Sequence, residues 1–178
     1  MSNIVEGWKL WRWRGWRIVG WGTAALLLLV PLIAMQWTDE VKWTGGDFLF
    51  AGGMFAIVGG AFELAVRASD RLDYRAGAGL ALIAGLLLVW VNGAVGIIGD
   101  EGNPANLMFG GVLLVAIAGA IGAGGRAAGM ARAMAAAAAI QLAVGAIAFG
   151  DDPAVPWATL VFAGLWLVSA VLFRRAAQ

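Results

Sequence analysis

The stretch "IVGWGTAALLLLVPLIAMQWTDEVKWTGGDF", residues 18–48, decides the fold. Residues 18–35 carry no charge, and crossing a hydrocarbon core about 30 Å thick takes about 20 apolar residues in a helix. The run then breaks into Trp37, Asp39, Glu40, Lys42, Trp43 and Asp47, and apolar sequence resumes at Phe48. Continuous apolarity without period-2 alternation predicts a spanning helix rather than a barrel strand.

The same alternation of long apolar run and short polar break continues to the end of the chain. Spans are predicted over 18–35, 48–66, 76–98, 107–123, 133–149 and 157–173. The breaks "WTDEVKWTGGD", "RASDRLDYR", "GDEGNPAN", "GGRAAGMAR" and "GDDPAVP" are rich in charge, Gly or Pro. With 62% hydrophobic and 13% charged residues in 178, the chain lies outside the range of soluble domains. The expected fold is an all-α membrane protein, a compact bundle of six transmembrane helices.

Charge along the chain predicts the topology. Lys9, Arg12, Arg14, Arg17, Arg67, Arg71, Arg75, Arg126, Arg132, Arg174 and Arg175 fall in the N-terminal segment, the second and fourth breaks and the C-terminal tail. Lys42 is the one basic residue of the other three breaks, which hold Asp39, Glu40, Asp47, Asp100, Glu101, Asp151 and Asp152. Because cytoplasmic loops are enriched in Lys and Arg, both termini are expected in the cytoplasm. Residues 1–17 form a Trp/Arg-rich interfacial segment, 18–173 the transmembrane domain and 174–178 a basic tail. The first run is long for a signal peptide and lacks a small-residue cleavage site, so its retention is expected.

In the N-terminal segment, Trp8, Trp11, Trp13 and Trp16 alternate with Lys9, Arg12, Arg14 and Arg17. Indoles favour the headgroup level and basic side chains favour anionic lipid phosphates, so this segment reads as a membrane anchor. Single-strand nucleic-acid platforms also mix aromatic and basic residues, but a position directly before a span favours lipid, and no nucleic-acid partner is expected.

Chemistry is narrowed by what the composition lacks. There is no cysteine and no histidine, which excludes disulfides, thiolate nucleophiles and imidazole ligands or bases. Ser2, Ser69 and Ser169 have no histidine to activate them. The chain is therefore expected not to be an enzyme and to need no cofactor. Small residues four apart, which let helices approach closely, appear as Gly52, Ala56 and Gly60; Gly77, Ala81 and Gly85; Ala120 and Gly124; and Ala135 and Ala139.

The polar residues within or near the spans are the candidate sites. Glu63 precedes Arg67 by one helical turn, a spacing that suits an interfacial ion pair. Gln141 falls near the middle of the fifth run, and Asn92 lies below the outer end of the third. Amides at such depth usually bond across helices, and the rival reading is that they line a solute path. Asp39, Glu40, Asp47, Asn92, Asp100, Glu101, Asn103 and Asn106 form a candidate outer polar cluster of oxygen donors of the kind hard cations prefer. Asp47 is expected to cap the second helix, and Asn103 or Asn106 the fourth.

The segments "QWTDEVKWTGGDF" and "LLLVWVNGAVGIIGDEGNPANLM" resemble a group of small, uncharacterised bacterial integral membrane proteins with similar wording in the first outer loop and around the third span. The resemblance implies a multi-pass protein of the bacterial inner membrane and carries no catalytic or binding residue with it. Two functions follow as expectations. The first is a non-enzymatic scaffold or accessory subunit acting through helix packing, with lipid and a second copy or another membrane protein as partners. The alternative is a small transporter or channel with an acidic outer vestibule for cations.

Overall fold

A computed structural model describes residues 2–150 and 152–178, with side chains described from residue 17 onward. Six α-helices and one short 3₁₀ turn account for the ordered elements: α1 Ser2–Ala34, α2 Gly45–Ala68, α3 Leu72–Ala94, the 3₁₀ turn Pro104–Leu107, α4 Met108–Ala123, α5 Ala127–Ile147 and α6 Ala154–Ala176. All six helices are long and apolar enough to cross a membrane, and the described residues contain no strand. The chain divides into two units, Met1–Gly60 and Ala61–Gln178.

Several helix ends have an identifiable cause. Thr44 precedes α2 and its N–H and hydroxyl both donate to Asp47 Oδ2, at 2.6 and 2.7 Å, while Asp47 N–H donates back to Thr44 Oγ1 at 3.4 Å. This is a reciprocal capping box. It corrects the expectation for Asp47, which sits inside the first turn while Thr44 occupies the cap, because α2 starts at Gly45, earlier than its apolar run. Gly124, left-handed at φ 54°, ends α4. Before α6, Asp152 Oδ1 accepts from Ala154 N–H at 2.7 Å.

Arginine guanidinium groups close the opposite helix ends. Arg75 donates to the carbonyls of Ser69 and Val66 at 2.8 and 3.2 Å beyond and within the end of α2, and pairs with Asp70 at 2.7 Å. Arg126 donates to Ala123 O at the end of α4, and Arg71 to Arg175 O at the end of α6. A helix C-terminus leaves carbonyls without intrahelical partners, and a cation there also meets the negative end of the helix dipole.

The first unit is a pair of antiparallel helices. Leu28 Cδ1 of α1 stands 3.8 Å from where a Cβ on Gly52 would be, and the Trp21 ring 3.0 Å from the same point on Gly59. Gly52 and Gly59, two turns apart, thus make the groove that receives α1. The segment 2–17, expected as a separate interfacial piece, is continuous with the first span in one helix, since nothing stronger than Gly7 and Gly15 interrupts it. Pro31 lies inside α1, where it removes one backbone donor from the helix ladder.

In the second unit α4 packs on α5, α5 on α6, and α6 on α3. α5 is nearly side-chain-free on its buried stripe: Ala133, Ala137, Ala138 and Gly145 alternate with Met134, Gln141 and Val144. A Cβ on Gly119 of α4 would meet Ala133 Cβ at 2.6 Å, and one on Gly129 of α5 would meet Ala123 Cβ at 2.7 Å. Two small-residue pairs, Gly119 with Ala123 and Gly129 with Ala133, therefore face each other in antiparallel register. Larger side chains return between α3 and α6, where Gly77 lies under Phe173 and Gly85 beside Trp166. There Tyr74 and Phe173 pack edge to face at 5.0 Å, and the Ser169 hydroxyl donates to Gly77 O at 2.8 Å.

The packing surfaces differ from those expected. Gly77 and Gly85 do pack against α6, but Gly52, Ala56 and Gly60 do not share one interface: Gly52 faces α1, while Ala56 is exposed. On α4 the close pair is Gly119 and Ala123 rather than Ala120 and Gly124, and Ala135 and Ala139 are exposed on α5. The helix bounds shift too. α3 ends at Ala94 rather than 98 because Gly96 turns left-handed at φ 74°, and α5 begins at Ala127 rather than 133, where alanines propagate the helix toward Arg126.

Gly129→Ala or Gly119→Ala should lower unfolding stability in detergent by about 1–3 kcal/mol, because the added methyl has to force α4 from α5. Gly122→Ala, whose position on α4 has open space, should be neutral or stabilising by about 0.5–1 kcal/mol through its higher helix propensity. Thermal unfolding of the three variants checks both.

Candidate functional site: an outer turn and a buried polar seam

The turn between α3 and α4 is built around one amide. Asn106 is buried, and its Oδ1 accepts from the N–H groups of Ile97 and Ile98 at 3.0 and 2.9 Å. Its Nδ2 donates to Ile98 O at 3.2 Å and Asp100 O at 2.7 Å. Both ends of the amide are thereby engaged, and the loop backbone is held much as a strand partner would hold it. Gly96 and Gly99 supply left-handed φ of 74° and 69°, and a Cβ on Gly96 would lie 2.4 Å from Asp100 O. Ile97 and Ile98 consequently turn inward and are buried although they stand outside any helix.

These contacts redefine the outer polar cluster. Asn103 Oδ1 accepts from Ala105 N–H at 3.0 Å and caps the 3₁₀ turn, not α4 as expected, because the turn Pro104–Leu107 intervenes and Leu107 occupies the cap position of α4. Asn106 does not cap α4 but clasps the loop, and both lone pairs of its amide oxygen are engaged. Asp100 and Glu101 are exposed beside them. Asp39 and Glu40 lie exposed in the first unit, where Glu40 N–H donates to Thr38 Oγ1 at 3.1 Å, and Asp47 belongs to the capping box there. The expected members thus divide between the two units, and Asp151 lies outside the described residues. Among the described residues no three acidic side chains are grouped to hold a metal ion.

Toward the other end of the helices, Glu63 and Arg67 form the ion pair expected from their spacing, Oε2 to Nη2 3.6 Å, with the Glu63 side chain largely covered and that of Arg67 mostly exposed. Such a pair is worth about 0.3–0.5 kcal/mol on a helix. Of the anchor residues, the side chains of Trp8, Lys9, Trp11, Arg12, Trp13, Arg14 and Trp16 lie outside the described residues, and Arg17 is exposed.

Buried polar atoms also occur on α3, α5 and α6. Gln141 is 0% exposed, and neither its Nε2 nor its Oε1 has a hydrogen-bond partner among the described residues. The same holds for Thr159 Oγ1, Trp166 Nε1 and Asn92 Oδ1; the other end of the Asn92 amide donates to Leu88 O at 2.8 Å. Of these, Asn92 and Gln141 were expected as amides at depth. Thr159 and Trp166 were not, and their signal is the glycine opposite each: Gly145 against Thr159 and Gly85 beside Trp166.

The comparisons add no relative. No family model matches the chain, and neither a curated protein nor a solved structure is significantly similar to it.

Replacing Asn106 by Ala strands the amides of Ile97 and Ile98 in a buried position, at about 1–3 kcal/mol for each unsatisfied group. The expected outcome is a loss of at least about 2 kcal/mol in unfolding stability, with faster hydrogen exchange at both amides. Asp100→Asn and Glu101→Gln, on exposed side chains, should stay within about 0.5 kcal/mol of the parent.

Proposed function

We propose that the chain is a non-enzymatic scaffold or accessory subunit of a bacterial inner membrane, acting by packing a transmembrane face against another membrane-embedded chain. The observation that carries this reading is the outward surface of α2. Gly52 and Gly59 are taken up by α1, but the adjoining stripe is not: Leu49, Gly53, Ala56 and Ile57 are exposed, and both Gly53 and Gly60 have open space above the Cα. Lipid tails gain nothing from a backbone laid bare, whereas a facing helix gains dispersion contacts and weak Cα–H hydrogen bonds from it. Bulky Leu49 and Ile57 beside small Gly53 and Ala56 give a surface into which a second helix can interdigitate.

The rest of the molecule is consistent with a packing role. Ser169 donates its hydroxyl to Gly77 O, and neither it nor Ser69 has a histidine in the chain to activate it. Orientation with both termini in the cytoplasm rests on eleven basic residues at one set of helix ends, where the N-terminal Trp/Arg segment would meet anionic headgroups. The resemblance to small bacterial membrane proteins in the first outer connection supports that membrane in particular. The partner is a second copy or a different membrane protein, and no nucleic acid is involved.

Native mass spectrometry of the protein extracted with its own membrane lipids should show a species heavier than the monomer. Ala56→Leu and Gly53→Leu should each weaken that association by about tenfold, roughly 1.4 kcal/mol, while leaving the melting temperature of the monomer unchanged. A bare monomer throughout would refute the scaffold reading.

A further inference from the structure

The unpartnered polar atoms between α3, α5 and α6 fall at related heights. Gly145 lies against Thr159, so in this antiparallel pair Gln141, one turn back along α5 on the same stripe, falls beside Ala163, one turn on along α6. Gly77 lies against Phe173 and Gly85 beside Trp166, so Asn92, two turns beyond Gly85, reaches the height of Thr159. From Thr159 to Trp166 is about 10 Å of helix at 1.5 Å per residue. Within that length three helices present Asn92 Oδ1, Thr159 Oγ1, both ends of the Gln141 amide and Trp166 Nε1, all without partners among the described residues.

Such atoms are not an ordinary consequence of packing. Ser169, on the same stripe of α6, shows how this bundle treats a buried hydroxyl that needs only protein: it bonds directly to a backbone carbonyl across the interface. Gly145 points the same way. It allows Thr159 to approach so closely that a Cβ there would sit 2.2 Å from Oγ1, which keeps the threonine upright against α5 rather than turned to lipid. Gln141 and Trp166, at 0% and 1% exposure, are fully sealed from the outside.

We infer that this seam is a binding site for a small uncharged molecule that both donates and accepts hydrogen bonds, either water or a hydroxylated solute of the size of glycerol. The donor and acceptor set dictates the class. Trp166 Nε1 offers only a donor, Asn92 Oδ1 only an acceptor, and Gln141 and Thr159 offer both. None of the four carries a charge, so an ion bound there would have no countercharge from them and would keep most of its desolvation penalty. A neutral hydroxyl compound or a short run of water satisfies donors and acceptors together, as buried water does in other proteins with two to four polar partners per molecule. This site is separate from the α2 surface and stands or falls independently of the scaffold reading.

The test uses the full chain in detergent micelles, labelled with ¹⁵N, and its variants Gln141→Met, Thr159→Val and Trp166→Phe, which keep shape and remove the polar atoms. The side-chain resonances of Gln141 and Trp166 are assigned by their disappearance in the variants. In solute-free buffer, cross-relaxation from water to the Gln141 NH₂ and the Trp166 indole N–H identifies water as the occupant. Absence of that transfer, with saturable shifts of both resonances on titrating glycerol, identifies a hydroxylated solute. In either case the three substitutions should leave the melting temperature equal or lower. The inference is overturned if neither water transfer nor a glycerol shift occurs, or if the substitutions each raise the melting temperature, since that is the response of a dry seam relieved of unsatisfied groups.

Discussion

The second unit depends on how closely α5 allows its neighbours to approach. For helices apolar enough to cross a membrane, close association rests on dispersion contacts whose strength falls steeply with distance. The alanine and glycine stripe of α5 brings α4 near enough that a single added Cβ at Gly119 or Gly129 would collide with it. On its other side the same helix receives Thr159 over Gly145. Thr159, Trp166 and Phe173 follow one another seven residues apart along one stripe of α6, so the stripe that meets α5 at Thr159 meets α3 at Trp166 and Phe173.

The two ends of the helices are finished by different chemistry. At the acidic ends, short side chains close local turns: Thr44 with Asp47, Asn103 with Ala105, Asp152 with Ala154. At the basic ends, long arginines reach carbonyls of α2, α4 and α6. The groups at the helix ends are the ones the helix itself leaves over, and these side chains supply their partners. The turn around Asn106 extends this logic to a loop, where one amide takes the place of a neighbouring strand.

Six helices, their order and the position of most breaks were legible from the apolar runs. The Glu63 and Arg67 pair also followed from spacing. What did not follow was the rotation of each helix about its axis. A soluble helix announces its buried face by polar residues opposite, but α4 and α5 are apolar all round, so Ala135 and Ala137 look equivalent in sequence although only the second is buried. For the same reason the ridge Gly52, Ala56 and Gly60 could not be divided between α1 and the exterior. The outer asparagines were weighed as ligands because an amide oxygen suits a cation. The left-handed glycines 96 and 99, which mark a tight loop needing such an amide, were the overlooked signal.

The arginine caps tie two properties that are usually treated apart. Arg71, Arg75 and Arg126 belong to the basic residues from which the proposed orientation is read, and each also hydrogen-bonds a carbonyl at the end of a helix. Under the proposed orientation, exchanging one of these loop charges would also remove a hydrogen bond that closes a helix. Replacing any of these three arginines would therefore be opposed by the folding of a helix end, whatever its effect on orientation.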